Sequence, residues 1–547
     1  MEYRIAIVED NATARTTLRG HLLPIENLEV FSYASGAELK GALRKQHFEL
    51  LLMDFHLGQD RNGVEWIHML READFIRPST GIIFLTSDRS PQTIGQIIDI
   101  QPDVLLIKPY TIASLTRQVK HYLSYRKFVD PVLKSLDHQD YKGASTLLMS
   151  LTKQGIPPRL NADVTRLKAR ILVEAGQTHA AMKIYESVLA RSDKVLWAQW
   201  GKIKCQYIAG LWPQVQHELS QMVTSSLARD RAFEWLASLS FEQQSFNQVE
   251  DFLNKVKFSE LSLPATRLKS LAYQKQDKVV EAIDLLQKKR AMHRSAKDRF
   301  NDFTFELAEF YLMLAEDAPM TNRKESLSQA RKLVGIAGRN QSDPQTLQKR
   351  DYLLAFSSVL DNDLQKASQF LEAGYMENHL RTEPSILVIA AKIHHGLGED
   401  DKANHLMALA KEKNANLQTI SEQVVNDDII FTGGEQIGYN EQQSIELNEI
   451  GTQLFIKGNY PSAMKHFYEA FVLSPTTAAF GLNLLQCMIE SQTPFYKRFG
   501  IRKLLNDISG LKLSPSNANR LSQLHEYAEA NSFALLPVED TEVMGSE

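Results

Sequence analysis

Pairs of helix-like segments that recur about every 34 residues are the feature that most limits how this chain can fold. The clearest copy is "LNEIGTQLFIKGNYPSAMKHFYEAFVLSP", residues 447–475. Its small residues at 451, 463 and 470 would let two helices approach, and its aromatic residues at 460 and 467 would fill the space between them. Two further copies in phase lie at residues 168–190 and 390–410. The pattern predicts an all-α solenoid of stacked helix pairs over most of the chain.

The first 126 residues have a different pattern. Short apolar runs, such as "YRIAIV" at 3–8 and "GIIFLTS" at 81–87, alternate with amphipathic segments. Strands that are apolar throughout are typical of a parallel sheet covered on both faces. We therefore predict an α/β doubly wound domain with a five-stranded parallel sheet, in which functional groups gather at the carboxyl edge of the strands.

Composition excludes several classes of function. Net charge is −4, from 62 basic and 66 acidic residues, so there is no overall attraction to nucleic acid or anionic membrane. No stretch approaches the roughly 18 apolar residues of a membrane span. We expect neither a nucleic-acid partner nor membrane insertion.

Two cysteines, Cys205 and Cys487, are too few for a disulfide framework and suit a reducing compartment. The N-terminal "MEYRIAIVED" lacks the basic region of a signal peptide. These features favour a cytoplasmic protein.

Polar residues follow the apolar runs at places that a parallel sheet would bring together. Three carboxylates that converge would repel one another unless a cation neutralised them, and such an oxygen-only site suits Mg²⁺. A hydroxyl and an ammonium group could then hold the oxygens of a phosphoryl group on the central carboxylate. Asp54 could instead cap the next turn, but that reading leaves the other positions unexplained. The positions are Glu9, Asp10, Asp54, Thr86 and Lys108.

With these residues in place, residues 1–126 resemble the receiver domain of two-component response regulators. The matching stretches are "VEDN", "LLLMD", "FLTS" and "IKP". The resemblance implies that Asp54 accepts a phosphoryl group from a sensor histidine kinase, and that Thr86 and Lys108 contact it. It also implies that Glu9, Asp10, Asp54 and the backbone carbonyl of His56 hold Mg²⁺, and that the Lys108–Pro109 peptide is cis.

The sequence departs from this family in two places. The loop after Asp54 lacks the usual proline and reaches Gly63 one residue later than in the commonest spacing. Leu105 occupies the position of the aromatic switch residue, so a swinging ring cannot transmit the signal there.

The repeats resemble tetratricopeptide repeats, which bind proteins or peptides in a groove. The whole chain is therefore similar to a receiver–tetratricopeptide response regulator of the bacterial VieB type. The resemblance implies phosphorylation-dependent binding to other members of a signalling pathway, such as another response regulator. Three alternatives stay open: a transcription regulator with a cryptic DNA-binding surface, an enzyme with an unrecognised site in residues 297–345, and a scaffold or homodimer whose assembly depends on phosphorylation.

We predict four regions: a receiver at 1–126, helical repeats at 127–417, a loop or inter-block linker at 418–443, and a last repeat with capping helices at 444–547. No Gly/Ser/Pro-rich tether separates the first two regions, so the last receiver helix can run almost directly into the repeats. Residues 297–345 are too long for one repeat.

Overall fold

A computed structural model of the protein describes residues 3–58, 60–317, 319–339 and 342–530. Its N-terminal part is a five-stranded parallel sheet with strand order β2-β1-β3-β4-β5, as the apolar runs predict. Strands β3 and β4 are buried along their whole length, since helices cover both faces of the sheet. The strands are β1 (Tyr3–Val8), β2 (Leu28–Tyr33), β3 (Leu50–Asp54), β4 (Gly81–Thr86) and β5 (Val104–Ile107).

Five helices connect and follow these strands: α1 (Ala12–Leu22), α2 (Gly36–Leu43), α3 (Gly63–Glu72), α4 (Pro91–Asp99) and α5 (Ile112–Asp137). Most begin at a side chain that accepts a backbone N–H of the first turn. At α3 the cap is reciprocal, because Asn62 accepts the Glu65 N–H while the Glu65 carboxylate accepts the Asn62 N–H. The caps fix where each helix leaves the carboxyl edge of the sheet.

Helix α5 joins the sheet to the helical region without a break, in agreement with the predicted absence of a tether. Its 26 residues pass through position 126 and contain Pro131. Val129 and Val132, beyond the predicted boundary, are fully buried. They belong to one apolar cluster that begins with Ile5 and Leu50 of the sheet and extends to Ile171. The two regions therefore share a core.

Residues beyond α5 form mainly helices. They are α6 (Tyr141–Lys153), α7 (Asn161–Glu174), α8 (Thr178–Leu189), α9 (Leu196–Ile208), α10 (Trp212–Met222), α11 (Arg229–Glu242), α12 (Phe246–Asn254), α13 (Leu263–Gln274), α14 (Val279–Met292), α15 (Lys297–Asp317), α16 (Met320–Ala337), α17 (Pro344–Leu360), α18 (Leu364–Leu371), α19 (Pro384–Gly396), α20 (Asp400–Ala415), α21 (Ile420–Gln436), α22 (Tyr439–Ile456), α23 (Tyr460–Leu473), α24 (Ala478–Glu490), α25 (Ile501–Ser509) and α26 (Pro515–Ala530). Two 3₁₀ turns (Pro158–Leu160 and Phe258–Glu260) and a short hairpin of β6 (Phe495–Tyr496) and β7 (Phe499–Gly500) complete the described elements.

The three clear sequence copies are helix pairs: α7 with α8, α19 with α20, and α22 with α23. In the last pair Ala463 is fully buried and the ring of Phe467 lies against Gly451, where a Cβ would come within 2.7 Å of it. Gly458 turns the chain between these two helices with φ of +72°, a conformation that other residues rarely adopt. The sequence therefore located the helix pairs and the small residues at their contacts.

Two segments that interrupt the repeat pattern are helical. Residues 420–436, inside the segment expected to be a loop or linker, form α21, so the loop interpretation is wrong. Buried Val424 and Val425 hold this helix against its neighbours although its apolar periodicity is weak. Residues 297–345 hold α15 and α16, a pair with longer helices than a 34-residue unit allows. The predicted domain boundaries stay predictions.

Contacts divide the chain into two compact units. The first contains residues 1–205 and 216–430, and the second contains residues 206–215 and 431–547. The second unit has its own apolar core, built from α22 to α26 and the short hairpin. Within the second unit, Lys497 donates its backbone N–H to the Gly210 carbonyl at 2.7 Å, which ties residues 206–215 to the hairpin.

Within the first unit, α2, α3 and α4 of the N-terminal domain face helices of the repeat region. Asp99 in α4 pairs with Arg231 of α11 at 2.9 Å. Gly95, also in α4, comes so close to Leu227 that a Cβ would lie 2.4 Å from the Leu227 carbonyl oxygen. Arg381 stacks over the Phe75 ring at 4.0 Å. Between these contacts lies a solvent-open cleft of about 1750 Å³, lined by both sets of helices.

Candidate functional site

Three carboxylates meet at the carboxyl edge of the sheet. Glu9 follows β1, Asp10 comes next, and Asp54 is the last residue of β3. Because β1 and β3 are adjacent parallel strands, these ends coincide, and one oxygen from each carboxylate lies within 4.8 Å of the others. Glu9 and Asp54 are buried, whereas Asp10 is exposed to solvent. The structure thus brings together the acids that the sequence singled out.

Lys108 lies between two of these acids. Its Nζ is 2.7 Å from Glu9 Oε2 and 3.2 Å from Asp54 Oδ2. Lys108 follows β5, and its backbone N–H donates to the Thr86 carbonyl at 2.7 Å. This hydrogen bond fixes the position of the backbone from which the Lys108 side chain extends. The Lys108–Pro109 peptide is cis, as the family resemblance implied. A single ammonium group therefore contacts two of the three clustered carboxylates.

The electrostatics of the site reflect this imbalance. Burial raises the pKa of Asp54 to about 6, against the opposing effect of Lys108, and the negative Glu9 adds to the rise. Burial would lower the pKa of Lys108, but its hydrogen bond to Glu9 and the charge of Asp54 outweigh this, and the Lys108 pKa is raised. A cation bound beside Asp54 would therefore stabilise its ionised form.

Thr86 and the residues after it form the next side of the site. The Thr86 side chain is fully buried at the end of β4, and its Oγ1 accepts the Asp88 N–H at 3.0 Å. Asp88 accepts the Thr93 hydroxyl at 2.6 Å and the Ser90 N–H at 2.8 Å, and these bonds lower the pKa of Asp88. Asp88 thus orders the loop that carries Thr86.

His56 lies on the loop after β3 with an exposed side chain. Its Nε2 is 3.9 Å from Asp88 Oδ2, beyond hydrogen-bond distance. At the end of the loop, the Gly63 N–H donates to the Phe55 carbonyl at 2.8 Å. A Cβ on Gly63 would lie 2.2 Å from the Asp54 carbonyl oxygen, so only glycine allows α3 to begin this close to the acceptor strand.

Arg15 is a residue of the site that sequence reasoning missed. Its guanidinium donates to the Glu9 carbonyl at 2.6 Å and to the Asp10 carbonyl at 3.2 Å, and so holds the acidic turn in place. It comes five or six residues after these partners and is half-buried in α1, whereas an arginine on a helix is most often only a solvated surface residue. No local pattern distinguishes it.

The acidic cluster fits a hard divalent cation. Its donors are carboxylate oxygens close enough to share one ion, and Mg²⁺ prefers such oxygen ligands while keeping several waters. Exposed Asp10 leaves one side of the cluster open to solvent. An acidic pocket of this kind binds Mg²⁺ in receiver domains.

Comparison with known proteins agrees with this geometry. Residues 5–120 match the family model "Response regulator receiver domain". These residues are therefore a response regulator receiver domain, which supports phosphoryl acceptance in a two-component system. Receiver domains interact with histidine kinases and phosphodonors.

Solved structures with some similarity to the chain include two response regulators. The isolated receiver domain of RcsB from Salmonella enterica serovar Typhimurium, with phosphomimetic BeF₃⁻, is 20% identical over 23% of this chain and 90% of its own, with a TM-score of 0.21. DrrB from Thermotoga maritima, an OmpR/PhoB homolog, is 23% identical over 23% of this chain and 54% of its own, with a TM-score of 0.20. No curated protein matches the chain.

Two other expectations can be compared with the structure. Cys205 and Cys487, which were predicted to be too few for a disulfide framework, are both free and buried. Among the described residues, no helix combines the length and apolar character needed to cross a bilayer.

Proposed function

We propose that the protein is a response regulator that accepts a phosphoryl group on Asp54 from a sensor histidine kinase. The observation that carries this proposal is the Asp54 carboxylate, buried at the end of β3 and 3.2 Å from the Lys108 ammonium, with Glu9 and Asp10 beside it. A buried acid with this neighbourhood is suited to nucleophilic attack. Since such kinases transfer phosphoryl groups inside the cell, we expect the protein to act in the cytoplasm.

In the transfer, an Asp54 carboxylate oxygen bonds to phosphorus as the P–N bond of the kinase phosphohistidine breaks, and the electron pair of that bond stays on the imidazole nitrogen. Lys108 would neutralise charge on the phosphoryl oxygens, and the Thr86 hydroxyl would donate to one of them. Glu9, Asp10, Asp54 and the His56 carbonyl would hold Mg²⁺, which supplies further positive charge at those oxygens.

For the output we propose that the helical region is a tetratricopeptide-repeat array that binds another protein, such as a second response regulator, in a phosphorylation-dependent way. The tight packing of Gly451 against Phe467 and the buried Ala463 support this assignment of the repeats. Arrays of stacked helix pairs present long surfaces to protein partners. The bound protein would be restrained or modulated within the same pathway.

Phosphorylation can be tested with purified protein, Mg²⁺ and a small phosphodonor such as acetyl phosphate. Wild-type protein should gain one acid-labile phosphoryl group, and Asp54→Asn should gain none, as measured by intact mass. Asp10→Ala should block the reaction by weakening the metal site. Glu29→Gln, an exposed change on β2, is the matched control and should react normally. Label that persists in Asp54→Asn would place the acceptor elsewhere.

The output can be tested by a pulldown from cell extract with and without beryllium fluoride, a phosphoryl analogue. At least one recovered protein should change in amount when the analogue is present, and the change should vanish in Asp54→Asn. Recovery of the same proteins in equal amounts under both conditions would contradict phosphorylation-dependent binding.

A further inference from the structure

The loop between β3 and α3 contacts the first turn of α15. Asp60 accepts the backbone N–H of Asp298 at 3.1 Å and that of Arg299 at 3.4 Å. The first N–H groups of a helix have no partner within the helix, and a carboxylate there is favoured by the helix dipole. Such a cap ordinarily comes from the residue just before the helix. Here it comes from 238 residues earlier in the chain, in the receiver.

Reciprocal ion pairs surround this cap. Arg61, next to Asp60, pairs with Asp302 and lies 3.9 Å from Asp298, and its side chain is only 17% exposed. In the other direction, Arg299 donates its Nε–H to Glu65 at 3.1 Å. Each partner therefore supplies both charges, and the contact specifies one alignment of loop and helix. Because these ion pairs are partly buried, we expect them to contribute more stability than fully exposed surface pairs do.

The same loop begins at the proposed phosphoryl acceptor. Asp54 ends β3, and the His56 carbonyl, a proposed metal ligand, lies four residues before Asp60. The loop is held at both ends, because the Phe55 N–H donates to the Leu85 carbonyl and the Gly63 N–H donates to the Phe55 carbonyl. Between them Gly58 has φ of +81°, a conformation that glycine adopts at little steric cost.

A phosphoryl group would act on residues 54–56 directly, and so short a segment cannot move without shifting its other end. We propose that the first turn of α15 is a binding surface for the β3–α3 loop of the receiver, and that phosphorylation of Asp54 breaks this contact. The inference rests on the proposed function, since it requires the phosphoryl group at Asp54. The inference also gives a role to residues 297–345, which are too long for one repeat. In the unphosphorylated protein the first turn of α15 binds the β3–α3 loop. Phosphorylation of Asp54 would release that turn from the loop.

Amide hydrogen exchange on the full chain tests this, with and without Mg²⁺ and beryllium fluoride. A helix cap contributes about 0.5–2 kcal/mol, so its loss should speed exchange in the first turn of α15 by roughly 2- to 30-fold. Residues 54–58 should become more protected in the same sample, which reports that the analogue is bound. Asp54→Asn should show neither change.

A variant separates the contact from the signal. Asp60→Asn removes the charge of the cap while keeping its size, and should speed exchange in the first turn of α15 without the analogue. Glu29→Gln on the opposite side of the receiver is the control and should leave α15 unchanged. Protection at residues 54–58 with unchanged or slower exchange in α15 would overturn this inference alone. No protection at residues 54–58 would overturn both the inference and the proposed phosphorylation.

Discussion

The carboxyl edge of the receiver sheet and the inner faces of the helix pairs are built by different rules. At the edge, residues from β1, β3, β4 and β5 meet because the sheet topology brings distant parts of the sequence together, and each must have a particular chemical group. In a pair such as α22 and α23, residues close in sequence meet, and each needs only a suitable size. The first region is therefore specified by chemistry and the second by volume.

This difference determines what each region tolerates. Glu9 and Asp54 are buried acids beside one lysine, and burying charged groups costs stability unless they are paired. Ala463 and Gly451 are buried small residues whose replacement costs packing but no chemistry. The contact between Asp60 and α15 joins the two regions. Like the sheet edge, it brings together charged groups that are far apart in the sequence.

We expect the largest loss of stability when a buried ion pair between two helices is broken. Arg267 in α13 pairs with Glu306 and Glu309 of α15, each at 2.9 Å, and all three side chains are less than 15% exposed. Arg267→Ala leaves two buried carboxylates without this partner and should cost about 3–5 kcal/mol of unfolding free energy, measured by urea denaturation. The exposed pair of Lys288 and Asp284 is the control, and Lys288→Ala should change stability by less than about 0.5 kcal/mol. Equal losses in both variants would refute the distinction.

Mg²⁺ should stabilise the receiver edge and leave the helix pairs unaffected. At a free concentration a hundred times its dissociation constant, a ligand adds about 2.7 kcal/mol to the folded state. We expect hydrogen exchange of β3 amides to slow accordingly, at constant ionic strength, with no change in α22 and α23. Asp10→Ala should abolish most of this effect. Slowing that survives in Asp10→Ala would indicate that the ion binds elsewhere.

Overpacking should damage the helix pairs locally. Ala463→Leu inserts a larger side chain where α22 and α23 meet and should cost about 1–3 kcal/mol in the second unit. Because each pair mainly contacts its neighbours, phosphorylation by acetyl phosphate should stay normal. Lys465→Leu, at an exposed position of α23, is the control for added apolar surface. Loss of phosphorylation in Ala463→Leu would show that the two regions are not separable.

The smallest effect concerns Asp343, which caps α17 and pairs with Lys40 and Arg44 of α2. Burial would raise its pKa, but Lys40, the Thr346 N–H and Arg44 outweigh burial, so the Asp343 pKa is lowered. A lowered carboxyl pKa contributes stability above the unfolded value, near 3.9, and that contribution is lost as pH falls through the folded value. Asp343→Asn should therefore cost about 1 kcal/mol at pH 7 and less below pH 4, by urea denaturation. An equal cost at both pH values would exclude the charge as the cause.

Sequence reasoning predicted the receiver fold and its acidic site residue by residue, because strand ends in a parallel sheet converge by topology. It located the helix pairs because volume constraints recur at fixed spacing. It missed α21, whose apolar residues follow no clear period, and Arg15, whose partners are backbone carbonyls. It also missed the contact of Asp60 and Arg61 with α15, since charged residues on a loop and on a helix face resemble solvated surface until the fold brings them together.

The core shared by the sheet, α5 and α7 makes the receiver a poor unit for genetic exchange. Cutting the chain after residue 126 would sever α5 in its middle and leave Val119 and Tyr122 without the apolar residues that follow them in the same cluster. Arg126 itself is buried and donates to the Ser79 carbonyl, so the cut would also fall on a structural bond. A recombination event that moved this receiver onto another output would need to carry α5 to α7 with it, and receiver and first helix pairs are thus expected to have been inherited together.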